Sequence, residues 1–461
     1  MTSLSETKRT RAFLAREFCP LSNRILLFSF LVVCMASSLT VRASSAQQSV
    51  MTDAQSDPKR LGLMQGFPPS PNKRVTLPDA VFFSFPNLRW SVCNMRELLP
   101  TASVNRNPYH ARPLPYNLRE GIDEIVFNPT NSDTPMSWQQ SLAENYTDGV
   151  LIIHKGRVVY EKYRGCLSES ANHAAMSMTK SLTGLLAEIL IAQGKLNEAA
   201  LVGSLIPELK QSAFADATVR QVMDMTTSLQ YSEQYADPNA DIWKYSYAAN
   251  PLPKPDSYTG PVGYFEYLQT VKKAGRHGQG FGYKTVNSDV LGWLISRASG
   301  KKFNVLASEL IWSKLGMEYS ADITVDGLGT PFAGGGLSAT LRDLGRLGLV
   351  MLEDGKVDGV QVIPGAAVAS IRAGGSQKAF AKAGFGTLPA GSYKSMWWHF
   401  HNKHGAFAAR GVHGQTIYID PTADMVLVRL SSHPVAANVA IDPTSLPAYE
   451  AVAQFLLSKP R

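Results

Sequence analysis

A chain of 461 residues with 44% hydrophobic and 18% charged side chains is globular, and those fractions exclude an intrinsically disordered protein. The formal charge is +8, and about half of the excess belongs to the first 46 residues, where Lys8, Arg9, Arg11, Arg16, Arg24 and Arg42 face only Glu6 and Glu17. The remainder is a mild excess with no dense basic run, so nucleic acid is not implied as a partner.

Residues 1–46 read as an export signal. A basic lead is followed by an apolar run from Ile25 to Met35 and by small residues, with Ser44-Ser45-Ala46 as the cleavage site. The run is short for a bilayer span. Cleavage places the mature protein in the periplasm or outside the cell without stable membrane insertion, and retention as an anchor is the alternative. Cys19 and Cys34 leave with the leader. Cys93 and Cys166 remain, either paired in an oxidising compartment or as two buried thiols, and their spacing fits no zinc pattern.

Residues 47–75 are polar and rich in Pro, Ser and Gln, and are expected as an N-terminal tail. The proline-rich stretch 76–135 is expected to wrap over the core without long elements. Two strand-like runs, Gly149–His154 and Arg157–Tyr163, meet at Lys155-Gly156 and predict a β-hairpin. Helical patterns follow at Ser181–Gln193, Val219–Met225, Asp289–Ala298, Phe303–Leu315 and Leu341–Leu352. A second hairpin joins Thr416–Asp420 to Met425–Leu430, and a final helix runs from Pro447 to Ser458. The build expected is an antiparallel sheet from about 145–165 and 393–461, backed by helices, with a helical region of about 166–392 inserted. Together these form one domain over 76–461.

Chemistry is carried first by Ser177-Met-Thr-Lys180 at the opening of the predicted helix. Ser177 stands where a backbone N–H points at negative charge. Lys180, three residues on, lies one turn along the same face. A serine hydroxyl is a weak nucleophile until a base takes its proton, and a lysine serves as that base only when burial favours its neutral form.

Several segments accompany this tetrapeptide: Val219–Ser228, Phe281-Gly-Tyr283-Lys-Thr-Val-Asn287-Ser-Asp289, and Gly334-Gly-Gly336 running to Asp343. With them the chain resembles the serine β-lactamase, penicillin-binding protein and esterase superfamily over about 145–432. Phe85–Trp90, Met176–Ser181, Glu233–Pro238, Trp397-Trp398 and Gly411–Gln415 resemble more closely the 6-aminohexanoate-dimer hydrolases, enzymes of β-lactamase fold that cut a linear amide and also act as carboxylesterases. The resemblance implies an α/β (α+β) β-lactamase/transpeptidase-like fold and makes Tyr283 the second catalytic residue. The third position of its box is Thr285, with Asn287 two further on, so either contacts substrate. Ala409-Arg410-Gly411-Val412 stands where β-lactamases usually carry Lys-Thr-Gly. By the same resemblance Gly411 lets the backbone approach substrate, and the Val412 N–H joins that of Ser177 as oxyanion donor. Tyr235 matches a loop tyrosine on the scissile amide and Trp398 a substrate-lining aromatic. His413 is read as structural. Gly334 and Ser246 stand where side chains would hold a nylon dimer, which leans the reading toward an ester.

These residues imply hydrolysis of a small ester or linear amide through an acyl-enzyme on Ser177, with no metal or organic cofactor and with a homodimer possible. The alternatives are a β-lactamase or D-alanyl-D-alanine peptidase and, from another class, a catalytically inactive binding protein on the same scaffold.

Overall fold

The computed structural model describes residues 51–77 and 81–458. The expected leader, 1–46, lies outside them. Seven antiparallel strands form the central sheet. We label them β1 (Thr147–His154), β2 (Arg157–Tyr163), β3 (Ser392–Lys394), β4 (Trp397–His399), β5 (Phe407–Gly411), β6 (Gln415–Asp420) and β7 (Met425–Ser431), in the spatial order β3-β4-β5-β6-β7-β1-β2. Both predicted hairpins are present, and β1 from the first half pairs with β7 from the second in the register Val426↔Ile153 and Val428↔Leu151. The turn at Lys155 and Gly156 has positive φ at both residues, as a two-residue hairpin turn requires.

Every residue of β1 is buried, because helices cover both faces of the sheet. Alternation along the strand divides the core. Leu151 and Ile153 join the cluster that includes the helices described next, whereas Val150 and Ile152 pack with Trp138, Tyr449 and Val452 on the other side. The helices that matter here are α1 (Met178–Ala192), α2 (Asp241–Ala249), α3 (Val286–Ser299), α4 (Leu341–Leu352) and α5 (Asp442–Ser458). Helix α1 is buried from Met178 to Leu190, so its apolar run serves all sides of the helix rather than one stripe. It ends at Gly194, whose φ is +69°. A Cβ on Gly184 would stand 1.9 Å from the Ser395 carbonyl oxygen, so this glycine is what lets α1 lie against the turn between β3 and β4.

Three expectations change. The last helix begins at Asp442, five residues before Pro447, which lies inside it. Pro447 has no N–H for the Pro443 carbonyl, and the Thr130 N–H bonds that carbonyl instead (2.9 Å). The run Phe303–Leu315 is α-helical only to Ala307 and continues as a π-helical turn over Ser308–Trp312. Residues 47–75 are not a free tail over their described part. Ser56 and Val75 are buried, Asp53 pairs with the buried Arg89 at 2.7 Å, and Leu63 is covered. Polarity misled here because the segment is held by a buried ion pair and short turns, which a hydrophobicity pattern does not register.

Cys93 and Cys166 are joined by a disulfide with Cα atoms 6.0 Å apart. The bond fastens the N-terminal wrap to the segment that leads into the Ser177 turn. Among the described residues no helix is long and apolar enough to cross a membrane.

Candidate active site

A short strand, His173–Ala174, feeds the turn before α1. The turn is held on both sides: the Ala174 N–H donates to the Val92 carbonyl and the Ala175 N–H to that of Leu337. Met176 adopts φ +47°, a conformation unfavourable for a side chain, which the surrounding bonds impose directly before Ser177. Thr179 locks the turn further, its hydroxyl donating to the Met176 carbonyl (2.7 Å) and accepting from the Leu337 N–H (3.0 Å). Ser177 is thereby presented at the helix start, 8% exposed.

Lys180 Nζ donates to Ser177 Oγ at 3.0 Å and to the Gly334 carbonyl at 2.6 Å. The lysine is 1% exposed, and burial brings its pKa down to about 8 against the opposing pull of Glu233 and Asp289. Tyr283 comes from the loop before α3, and Lys180 Nζ lies 5.2 Å from its ring centroid. Burial and the nearby Glu233 push the phenol well above its ordinary pKa, with the Ser177 hydroxyl and Arg410 opposing. The two shifts assign different tasks. Lysine and tyrosine are both driven toward neutrality, which makes Lys180 the group able to accept a proton and Tyr283 one able to donate.

The end of β5 completes the site. Strand β4 pairs with β5 only at Phe407 and Ala408, leaving the edge from Ala409 to Gly411 unpaired on that side. Gly411 has φ −136°, an extended conformation open to any residue. Its need is steric: a Cβ there would stand 2.8 Å from the Ala175 carbonyl oxygen and 3.0 Å from Ser177 N. Among the described residues the N–H groups of Ser177 and Val412 have no acceptor in the protein, and both residues border the same cavity of about 520 Å³. This is the arrangement that receives a tetrahedral oxyanion.

Other residues stand apart from their expected places. Asn287 is fully buried away from the cavity, accepting from Thr227 Oγ1 (2.7 Å) and donating to the Lys284 carbonyl (3.1 Å). Thr285 lines the cavity in its stead, because Asn287 falls on the helix face turned to the core. Trp398 does not line the cavity either. It packs within an aromatic group with Phe281, Phe380, Phe385 and Tyr393 and sits 5.4 Å from the Tyr283 ring, so it backs the phenol. Tyr235 does line the cavity, with its hydroxyl donated to Glu233 (2.8 Å). His413 borders the cavity at φ +62°. Burial holds its pKa down at about 4, and Nδ1 lies 2.7 Å from the His433 carbonyl oxygen.

Two acidic residues escaped sequence reasoning. Glu233 accepts from the Thr285 N–H and hydroxyl, both at 2.5 Å, bridging the Tyr235 loop to the start of α3. Asp289 is buried, accepts the Gly334 N–H at 3.1 Å, and is pushed by burial up to about 7. It therefore holds the N–H side of the residue whose carbonyl receives Lys180. Asp289→Asn keeps an acceptor for Gly334 but removes the anion that raises the Lys180 pKa. The rising limb of the pH profile of kcat/KM is expected to move down by about one pH unit, and an unmoved limb would refute the coupling. No sequence signal distinguishes these carboxylates from surface ones, since their neighbours come from distant segments.

A family model described as Beta-lactamase matches residues 140–446. A 6-aminohexanoate-dimer hydrolase from Paenarthrobacter ureafaciens is 36% identical over 350 residues, covering 76% of this chain and 86% of that one. The chain belongs to the β-lactamase family. A Bacillus anthracis structure described as a candidate 6-aminohexanoate-dimer hydrolase aligns with TM-score 0.76 at 30% identity, over 84% of this chain and all of that one. EstCE1, described as a hydrolase with promiscuous acyltransferase activity, shares the fold at TM-score 0.53 and 17% identity, over 68% of this chain and 96% of that one. Fold class and enzyme class agree with the sequence expectation: the chain is a serine hydrolase of β-lactamase type.

Proposed function

We propose that the protein hydrolyses an ester or linear amide through an acyl-enzyme on Ser177. One observation carries the reading: a buried lysine, with its pKa brought down to about 8, donates to the serine hydroxyl at 3.0 Å. Neutral Lys180 takes the Ser177 proton as Oγ attacks the carbonyl carbon. The oxyanion is held by the N–H groups of Ser177 and Val412. Collapse expels the alcohol or amine, which takes a proton by way of Tyr283, and water then attacks the acyl carbon and frees Ser177. The similarity to the Paenarthrobacter enzyme supports this bond type. The alanine at position 409, where β-lactamases carry a lysine, favours it over penicillin hydrolysis.

A fluorophosphonate probe is expected to label Ser177, and Ser177→Ala to lose both labelling and p-nitrophenyl acetate hydrolysis. Intact hydrolysis in that variant would overturn the reading, and a stable penicillin adduct on Ser177 would favour a penicillin-directed enzyme. We also propose export, supported by the basic-apolar leader and by the Cys93–Cys166 disulfide, a bond that persists in oxidising compartments.

A further inference from the structure

The cavity beside Ser177 differs from its surroundings in one respect. Among the described residues that line it, Lys180 is the only one with a charged side chain, and that amine is already engaged by Ser177 and Gly334. The rest of the wall is dominated by aliphatic and aromatic groups. Part of it comes from the N-terminal wrap, with Leu77, Phe82 and Phe83 on one side, and part from α2, with Ile242 and Trp243. Two of the polar groups near the far wall are engaged locally. Ser246 Oγ donates to the Ile242 carbonyl at 2.8 Å, and Asn250 Oδ1 accepts the Leu252 N–H at 2.9 Å. A Cβ on Gly334 would meet Thr285 Cγ2 at 2.7 Å, so no side chain reaches in from there. Tyr283, which donates to the leaving group, is partly exposed yet does not line this cavity. Its ring packs on Tyr393 and Trp398, neither of which lines the cavity, which assigns the leaving group to that flank of Ser177 and the acyl chain to the cavity.

We infer that the enzyme is selective for substrates with an uncharged, apolar acyl chain of medium length, with the N-terminal wrap forming part of the chain's binding wall. This rests on the acyl-transfer reading above. A terminal ammonium carried into the cavity would lose its hydration and find no carboxylate among the described lining residues, whereas each methylene gains contact with apolar wall. The volume of about 520 Å³ lies within the range of small-molecule sites.

The test uses p-nitrophenyl esters on the purified protein, each rate referred to the ester's own hydroxide hydrolysis. From acetate to heptanoate, kcat/KM is expected to rise about two- to fourfold per methylene. The heptanoate and 6-aminohexanoate esters have acyl chains of equal length and differ in a terminal methyl against an ammonium. The heptanoate is expected to be favoured by roughly 100-fold. Phe83→Ala should lower the heptanoate-to-acetate ratio about three- to tenfold. Equal or better hydrolysis of the amino ester, a flat chain-length series, or an unchanged ratio in Phe83→Ala would overturn the inference while leaving the acyl-enzyme intact. Absence of any ester hydrolysis, or hydrolysis surviving Ser177→Ala, would instead mark failure of the parent reading.

Discussion

Lys180→Ala is expected to lower kcat/KM toward p-nitrophenyl acetate by roughly 10³- to 10⁴-fold and to abolish fluorophosphonate labelling of Ser177. The expectation follows from what surrounds Ser177 Oγ. Lys180 is the amine bonded to it, the Tyr283 phenol that also interacts with it is held neutral by burial and Glu233, and His413 is engaged by the His433 carbonyl. The variant should remain folded. The lysine is buried, and its removal relieves the cost of holding an amine out of water while vacating only the Ser177 hydroxyl and the Gly334 carbonyl. Lys180→Met, which fills more of the space, separates any packing loss from the chemical one. The wild-type pH profile supplies the sign. Base catalysis needs the neutral amine, and the Lys180 pKa is lowered by burial to about 8. kcat/KM should therefore climb tenfold per pH unit below that value and level off above it. A profile that instead fell as pH rose through 8 would show that the protonated amine is the working form.

Gly411→Ala should cost about 10²- to 10³-fold in kcat while leaving the protein folded, with about 1–3 kcal/mol lost from folding stability. The glycine φ of −136° suits alanine, so the loss cannot come from backbone strain. It comes from the added methyl, which would stand 2.8 Å from the Ala175 carbonyl oxygen and 3.0 Å from Ser177 N. These are backbone atoms with little freedom to yield, so the end of β5 must move away from the nucleophile turn. That motion separates the Val412 and Ser177 N–H groups. Gly386→Ala is the control, since nothing lies within 4 Å of a Cβ there. Steady-state kinetics on both variants decides the matter: equal activity would mean that the Gly411 approach does not set the oxyanion site.

The catalytic helix was legible because its information is local. An apolar run long enough for α1, a serine at its start and a lysine one turn on are all contained in one short segment, and helical periodicity places the two side chains together. The hairpins were legible for the same reason, through strand alternation and turn residues. Thr285 and Asn287 could not be separated by spacing alone. The choice depends on which face of α3 meets the core, and Asn287 is taken up by Thr227 from another segment. Trp398 was misplaced for a related reason: an aromatic residue on a strand beside a site serves equally as wall or as backing, and only the packing of Phe281, Phe385 and Tyr393 around it puts it behind Tyr283.

The amino-acid sequence alone thus determined the two hairpins, the helix that carries the serine–lysine pair, and the family, because those follow from residue type and short-range periodicity. The tertiary structure decided what surrounds the pair. It placed Asp289 and Glu233 near the lysine, closed Cys93 with Cys166, and turned an apparent N-terminal tail into packed structure whose continuation walls the acyl cavity. Burial, and with it every pKa shift in the site, depends on segments far apart in the chain, and a one-dimensional pattern carries no record of which of them meet.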